Sequence, residues 1–149
     1  MGILEASYTV EIDAPRDRCY EIAADVENAP GWQGTLEEVE VIERDDQGRA
    51  ELVFTKSDAT VKKVESELRF SYQPPGGITW EQEKGEVKWL TGSWAFEELG
   101  DGRTRATYAL RTDPGRVLGL LLRGPVEGKV KEILTKSAAE GLKKRAEVG

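Results

Sequence analysis

Histidine is absent from the 149 residues, and cysteine and methionine occur once each. Without histidine there is no Ser–His or Cys–His nucleophilic pair and no His-ligated metal. The single thiol, Cys19, excludes a structural zinc cluster and an intrachain disulfide, and it fits a reducing compartment. No metal and no cofactor is therefore expected. Long hydrophobic runs are missing as well. The longest, Val117–Leu122, is interrupted by Gly119, whereas a membrane span needs ~20 residues. The first ten residues hold neither a basic segment nor an apolar core of signal-peptide length, so a cytoplasmic location is expected, with no stable membrane insertion. Positive charge is outnumbered, 21 Lys+Arg against 28 Asp+Glu, for a net −7. That balance argues against nucleic-acid binding, which needs a basic stripe. The lysines between Lys129 and Arg145 are interleaved with Glu132 and Glu140 and read as the solvated face of a helix.

What is present is an ordinary globular mix, 38% apolar, at a length that suits one domain, 1–149. Leu4, Ala6, Tyr8, Val10 and Ile12 alternate with Glu5, Ser7, Thr9 and Glu11, the period of a half-buried strand. Asp13-Ala14-Pro15 supplies an N-cap candidate and a first-turn proline. Cys19, Ile22, Ala23 and Val26 then form one helical stripe. A short second helix is expected around Val26–Asn28, before Pro30-Gly31-Trp32. Strands follow over 36–44, 49–57, 60–72, 78–84, 87–99 and 104–112, separated by turns such as Asp45–Gly48 and Gly100–Gly102. A leucine-rich segment, 116–122, leads through Gly124-Pro125 to an amphipathic helix over 126–146. Its expected inner stripe is Val126, Val130, Ile133, Leu134, Ser137, Ala138, Gly141 and Leu142.

Six strands in hairpin succession make an antiparallel meander with one apolar face to cover. The C-terminal helix, ~30 Å long at 1.5 Å per residue, is the one element able to cover it. An α+β fold follows: a curved sheet of about seven strands around a long helix, with two short helices after the first strand. Ser137, Ala138 and Gly141 stand on the helix where larger residues would fill space. Tyr8, Phe54, Phe70, Tyr72, Trp80, Trp94, Phe96 and Tyr108 fall on the expected inner sheet face. Two arrangements satisfy this pattern: close helix–sheet packing over small residues, or an aromatic-walled cavity. In the second, Tyr8, Ser66, Tyr72 and Tyr108 supply polar tips that orient a ligand. Trp89 has the opposite parity from Trp94, so either Gly92 hosts a bulge or Trp89 is exposed. The parity of Arg69 sets it with Lys63, Glu65 and Glu67 on the outer face. Cys19 reads as an inert core thiol. No pair among the 28 carboxylates stands out as an acid–base couple. The cluster Leu118, Leu120, Leu121 and Leu122 between glycines reads as a lid or satellite core, with a dimer contact or a membrane-touching patch as alternatives.

Three strings carry a family resemblance. IDAPRDRCYEIAADVENAPGW, residues 12–32, resembles the opening of the SRPBCC (START-like, helix-grip) superfamily, in its polyketide cyclase/dehydrase and coenzyme-Q-binding type. GSWAFEELGDGRTRATYAL, residues 92–110, resembles that branch's Trp–Phe strand pair and its partner. The ending, residues 112–147, resembles its leucine-rich segment and C-terminal helix. The resemblance implies a helix-grip (START/Bet v-like) fold and places Trp32 near the mouth of a cavity. The function it implies is binding of a hydrophobic small molecule: a lipid, isoprenoid, quinone or polyketide. The expected site is Tyr8, Trp32, Phe54, Ser66 and Phe70, then Tyr72, Trp80, Trp94, Phe96 and Tyr108. Leu118, Leu121, Ile133, Ser137 and Gly141 complete it. Aromatase/cyclases of this kind use an inward arginine and tyrosines, so a cyclase/dehydrase acting on a poly-β-keto chain is the second reading. An interaction module with a filled core is the third. The expected state is monomer or homodimer.

Overall fold

The structure is a computed structural model that describes residues 2–148. Of the expected domain, 1–149, only Met1 and Gly149 lie outside the described residues. Strand β1 (Leu4–Ile12) leads into helix α1 (Arg16–Ala24) and a 3-10 turn (Val26–Gly31). Six strands follow: β2 (Leu36–Arg44), β3 (Ala50–Asp58), β4 (Lys63–Gln73), β5 (Gly77–Gly85), β6 (Trp89–Gly100) and β7 (Arg103–Asp113). Short helix α2 (Gly115–Leu121) and long helix α3 (Pro125–Glu147) close the chain. The strands form one antiparallel sheet in the order β1-β7-β6-β5-β4-β3-β2. A curved seven-stranded sheet holding a long C-terminal helix is the helix-grip arrangement. No helix among the described residues is long and apolar enough to cross a membrane.

Side-chain alternation explains the sheet. In β1, residues 4, 6, 8, 10 and 12 are more buried than their neighbours, as period two requires. Asp101 and Gly102, both at positive φ (54° and 71°), form the two-residue β6–β7 turn between paired Gly100 and Arg103. Positive φ at both central residues matches the twist of the strands they join. The β6–β7 register runs unbroken from Trp89 to Glu98. Gly92 therefore hosts no bulge, and Trp89 faces outward, where Arg111 lies 5.9 Å over its ring. Gly92 has a different task. It pairs with Trp80, and a Cβ there would sit 2.2 Å from the Trp80 indole. The missing side chain lets Trp80 lie flat on β6.

Strand β3 departs from its expected phase. Ala50, Leu52 and Phe54 look like one apolar face, but Phe54 pairs with Glu40 and Glu67 in an outward row. Val53 and Thr55 point inward, opposite Leu68 and Ser66. The strand has apolar residues on both parities, so alternation alone cannot fix its phase. Helix α1 also begins differently. Pro15 is its N-cap, with no side-chain cap, and the backbone N–H of Asp13 donates to Glu147 Oε2 at 2.8 Å.

Helix α3 packs on β1, β7 and α1. Its buried residues are Val130, Thr135, Ala138, Ala139, Leu142 and Ala146. The stripe is rotated from the expected one, so Val126 and Ile133 are exposed. Thr135 is tolerated inside because its hydroxyl donates to the Lys131 carbonyl at 2.8 Å. Gly141 does not hold space open. A Cβ there would lie 2.0 Å from the Trp32 carbonyl oxygen, so this glycine lets the segment after the 3-10 turn close on the helix. Gly128, exposed on the same helix, has nothing within 4 Å. Gly141→Ala should therefore destabilise the fold by about 1–3 kcal/mol through overpacking. Gly128→Ala should stabilise it by about 0.4–1 kcal/mol by restricting the unfolded chain. Urea midpoints moving in opposite directions would bear this out, and equal midpoints would contradict it.

Candidate functional site

The inner sheet face carries a continuous series of rings. Tyr72 meets Phe70 (6.3 Å between centroids), Phe70 meets Trp80 (5.4 Å) and Trp80 meets Tyr108 (5.6 Å). Tyr108 then abuts Trp94 edge-on at 4.8 Å, Trp94 stacks on Phe96 at 5.6 Å, and Phe96 reaches Tyr20 at 6.4 Å. Alternation within β4–β7 and the cross-strand pairs Phe70–Trp80 and Trp94–Tyr108 produce this series. Each such contact contributes roughly 0.5–1.5 kcal/mol beyond burial.

The space left open lies beside the rings, toward the leucine-rich end. A cavity of about 140 Å³ is walled by the inner faces of β1, β3–β7 and by α2 and α3. Its aliphatic end is a cluster of Ala59, Val87, Leu118, Leu122 and Val130, with Leu90 and Leu134 against it. A second cavity of about 80 Å³ lies on the other side, between Trp32, Phe70 and Trp94. Gln33, Thr55, Ser57, Leu68, Trp80 and Tyr108 touch both cavities and form a waist between them.

The polar groups of the walls divide into occupied and free. Ser66 donates to Gln82 Oε1 at 2.9 Å, Thr55 to the Ser66 carbonyl at 3.4 Å, and Thr112 to the Trp89 carbonyl at 2.6 Å. The Gln33 amide donates to the Tyr108 hydroxyl oxygen across a long 3.5 Å. Among the described residues, the Tyr108 proton, Gln33 Oε1 and the Thr35 and Ser57 hydroxyls have no hydrogen-bond partner. Burial pushes the Tyr108 phenol up to about 12, so it stays protonated at neutral pH and acts as a donor. The charged wall residues are Glu5, paired with Arg111, and Lys131, 3.6 Å from Glu127. Arg69 faces outward, as its parity predicts, and pairs with Glu51, Glu83 and Glu43. Cys19 is fully buried, and burial pushes its thiol up, away from the reactive thiolate.

The expected site residues divide accordingly. Ser66, Trp80, Tyr108 and Leu118 line the larger cavity, and Trp32, Phe70, Trp80, Trp94 and Tyr108 the smaller. Phe96 and Tyr72 belong to the ring series but not to either wall, and the Tyr72 hydroxyl donates to the Ala50 carbonyl. Tyr8 faces α3, where its hydroxyl donates to Glu140 Oε2 at 3.1 Å, away from both cavities. Phe54 faces outward, Leu121 and Ile133 are exposed, Gly141 abuts Trp32 and Ser137 approaches Gly34. Pattern reading missed Gln33, Thr35, Thr55, Ser57 and Val87. Thr55 and Ser57 were hidden by the phase of β3, and Gln33 carries no periodic signal. Val130 and Leu134 were legible as helix stripe and Leu122 as part of the leucine cluster.

Helix α2 has two apolar sides. Leu118 lines the larger cavity with Leu122, which follows the helix, whereas Val117, Leu120 and Leu121 are 71%, 54% and 46% exposed. Gly115, its first residue, and Gly124, just beyond it, both have positive φ.

A family model described as polyketide cyclase / dehydrase and lipid transport matches residues 12–137. The chain belongs to that family. A START superfamily protein from Mycobacterium smegmatis superposes with a TM-score of 0.83 at 19% identity, over 98% of both chains. A protein from Thermus thermophilus gives 0.83 at 23% identity, over 96% of this chain and 97% of that one. The Zhui aromatase/cyclase of a Streptomyces species gives 0.76 at 21% identity, over 98% and 94%. These likenesses establish the fold. No curated protein matches the chain in sequence.

All four tyrosines are held above their ordinary value of 10.0: Tyr20, Tyr72 and Tyr108 chiefly by burial, Tyr8 chiefly by its bond to Glu140. A phenol raised in the folded state contributes stability that is complete below its unfolded value and is lost as pH rises past the folded one. The melting temperature should therefore fall as pH climbs from 10 toward 12, and less steeply in Tyr108→Phe. Absorbance at 295 nm showing all phenols titrating near 10 in the folded protein would contradict this.

Proposed function

We propose that the chain binds a hydrophobic small molecule in the cavity between the sheet and helices α2 and α3. The observation that carries this reading is the larger of the two inner cavities: an aliphatic pocket left open beside a filled aromatic core, with a few unpartnered hydroxyl and amide groups at one end. Binding draws on burial of apolar ligand surface, ~25 cal/mol per Å² before ordering costs. The neutral groups at the waist set orientation rather than strength. The family's description, which includes lipid transport, supports the same reading. The cyclase reading has the aromatase/cyclase likeness behind it. Against it, the cavity walls present no arginine, and their one phenol at the waist holds its proton too tightly to serve as a base at neutral pH.

The test is a fluorescence titration with N-phenyl-1-naphthylamine, an uncharged apolar dye that brightens when desolvated. Saturable brightening with about one dye per chain is expected. Ser57→Phe, which fills the waist, should weaken it at least tenfold with an unchanged circular dichroism spectrum. Equal brightening by the wild type and Ser57→Phe would move the dye elsewhere and overturn the reading.

A further inference from the structure

The waist of the cavity is polar but carries no charge. Of the six residues that touch both cavities, Gln33, Thr55, Ser57 and Tyr108 present amide or hydroxyl groups, and none is ionised at neutral pH. On one side the wall is aliphatic, with Leu118, Leu122 and Val130; on the other it is aromatic, with Trp32 and Trp94. Among the residues that line the two cavities, the groups that titrate or carry charge are few. Glu5 on β1 is engaged by Arg111 of β7, Lys131 on α3 by Glu127, and Tyr108 on β7 is the one phenol.

We propose that the cavity selects an uncharged amphipath, an apolar chain or ring bearing one neutral hydroxyl or carbonyl that docks on Gln33 and Tyr108, and rejects the corresponding carboxylate. This rests on the reading that the cavity binds an apolar small molecule. The physical reason is desolvation. A hydroxyl moved to the waist gives up its water and finds Gln33 Oε1 to accept its proton and the Tyr108 proton to donate to its oxygen. A carboxylate at the waist gives up far more hydration and meets no cation there, the one cationic wall residue, Lys131, lying outside the waist and 3.6 Å from Glu127. It enters only after taking up a proton, which weakens apparent binding about tenfold for each pH unit above its own pKa. Tyr108 does not alter that balance, because burial keeps its phenol protonated throughout the neutral range.

The experiment displaces bound N-phenyl-1-naphthylamine with octan-1-ol and with octanoate between pH 5.5 and 8.5. Octan-1-ol should compete with the same affinity across the range. Octanoate should weaken with each pH unit and lie at least about 100-fold below octan-1-ol at pH 8. Tyr108→Phe and Gln33→Ala should lower octan-1-ol affinity about three- to tenfold more than that of octane, which carries no hydroxyl, a split that simple unfolding does not produce. Octanoate binding as tightly as octan-1-ol at pH 8, or octanoate binding that is abolished by Lys131→Ala, would overturn the neutral-headgroup proposal while the dye signal left the binding reading standing. A protein that takes up neither dye nor octan-1-ol would overturn both.

Discussion

The structure depends on one mismatch of shape. A seven-stranded antiparallel sheet has an apolar face wider than a single helix covers. Helix α3 lies against β1 and β7, where Ala138, Ala139 and Leu142 bury its small-residue side. The segment after the 3-10 turn closes on this helix because Gly141 admits the Trp32 carbonyl against it. The face of β4–β6 is left for the chain to fill in other ways. One half is filled by the ring series from Tyr72 to Phe96, which Gly92 permits by letting Trp80 lie on β6. The other half is bounded by the leucine-rich helix α2 and remains open. The cavity is the space over the sheet that α3 and the rings border without filling.

Charge is sorted with equal clarity. Arg69, Arg103, Arg105 and Arg111 pair with Glu51, Glu83, Glu11, Glu97 and Glu5 across the outer face. Exposed pairs of this kind are each worth little, about 0–1 kcal/mol. Their consequence is what they leave behind: an inner face whose waist offers only neutral donors and acceptors. The two-sided helix α2, with Leu118 inside and Val117 and Leu120 outside, stands between this interior and solvent.

Most of the fold was legible because the strands obey period two. In β1, β4, β5, β6 and β7 the apolar parity alone identifies the inner face, down to Ser66, Trp80, Trp94 and Tyr108. Legibility ended where that signal was doubled or absent. Strand β3 carries Leu52 and Phe54 on one parity and Val53 on the other, and only pairing with Leu68 and Ser66 decides between them. Helix α3 has small residues over much of its surface, so its stripe was read about one position off, which exposed Ile133 and misassigned Gly141. Gln33 belongs to no periodic element, and its place beside Tyr108 is a matter of tertiary packing. The rings expected to wall the cavity contact one another in series: Trp80 and Tyr108 border both cavities, Trp32, Phe70 and Trp94 the smaller one, and the aliphatic end is left unfilled.

The central claim is that the ligand lies at the aliphatic end, with its polar group at the waist. A crystal structure of the protein with 8-bromooctan-1-ol tests it most directly, because the anomalous signal of bromine marks the chain end without interpretation of weak density. The account predicts a bromine peak against Leu118, Leu122 and Val130 and the hydroxyl beside Gln33 and Tyr108. A peak among Trp32, Trp94 and Phe96, or on the outer face of the sheet, would contradict it.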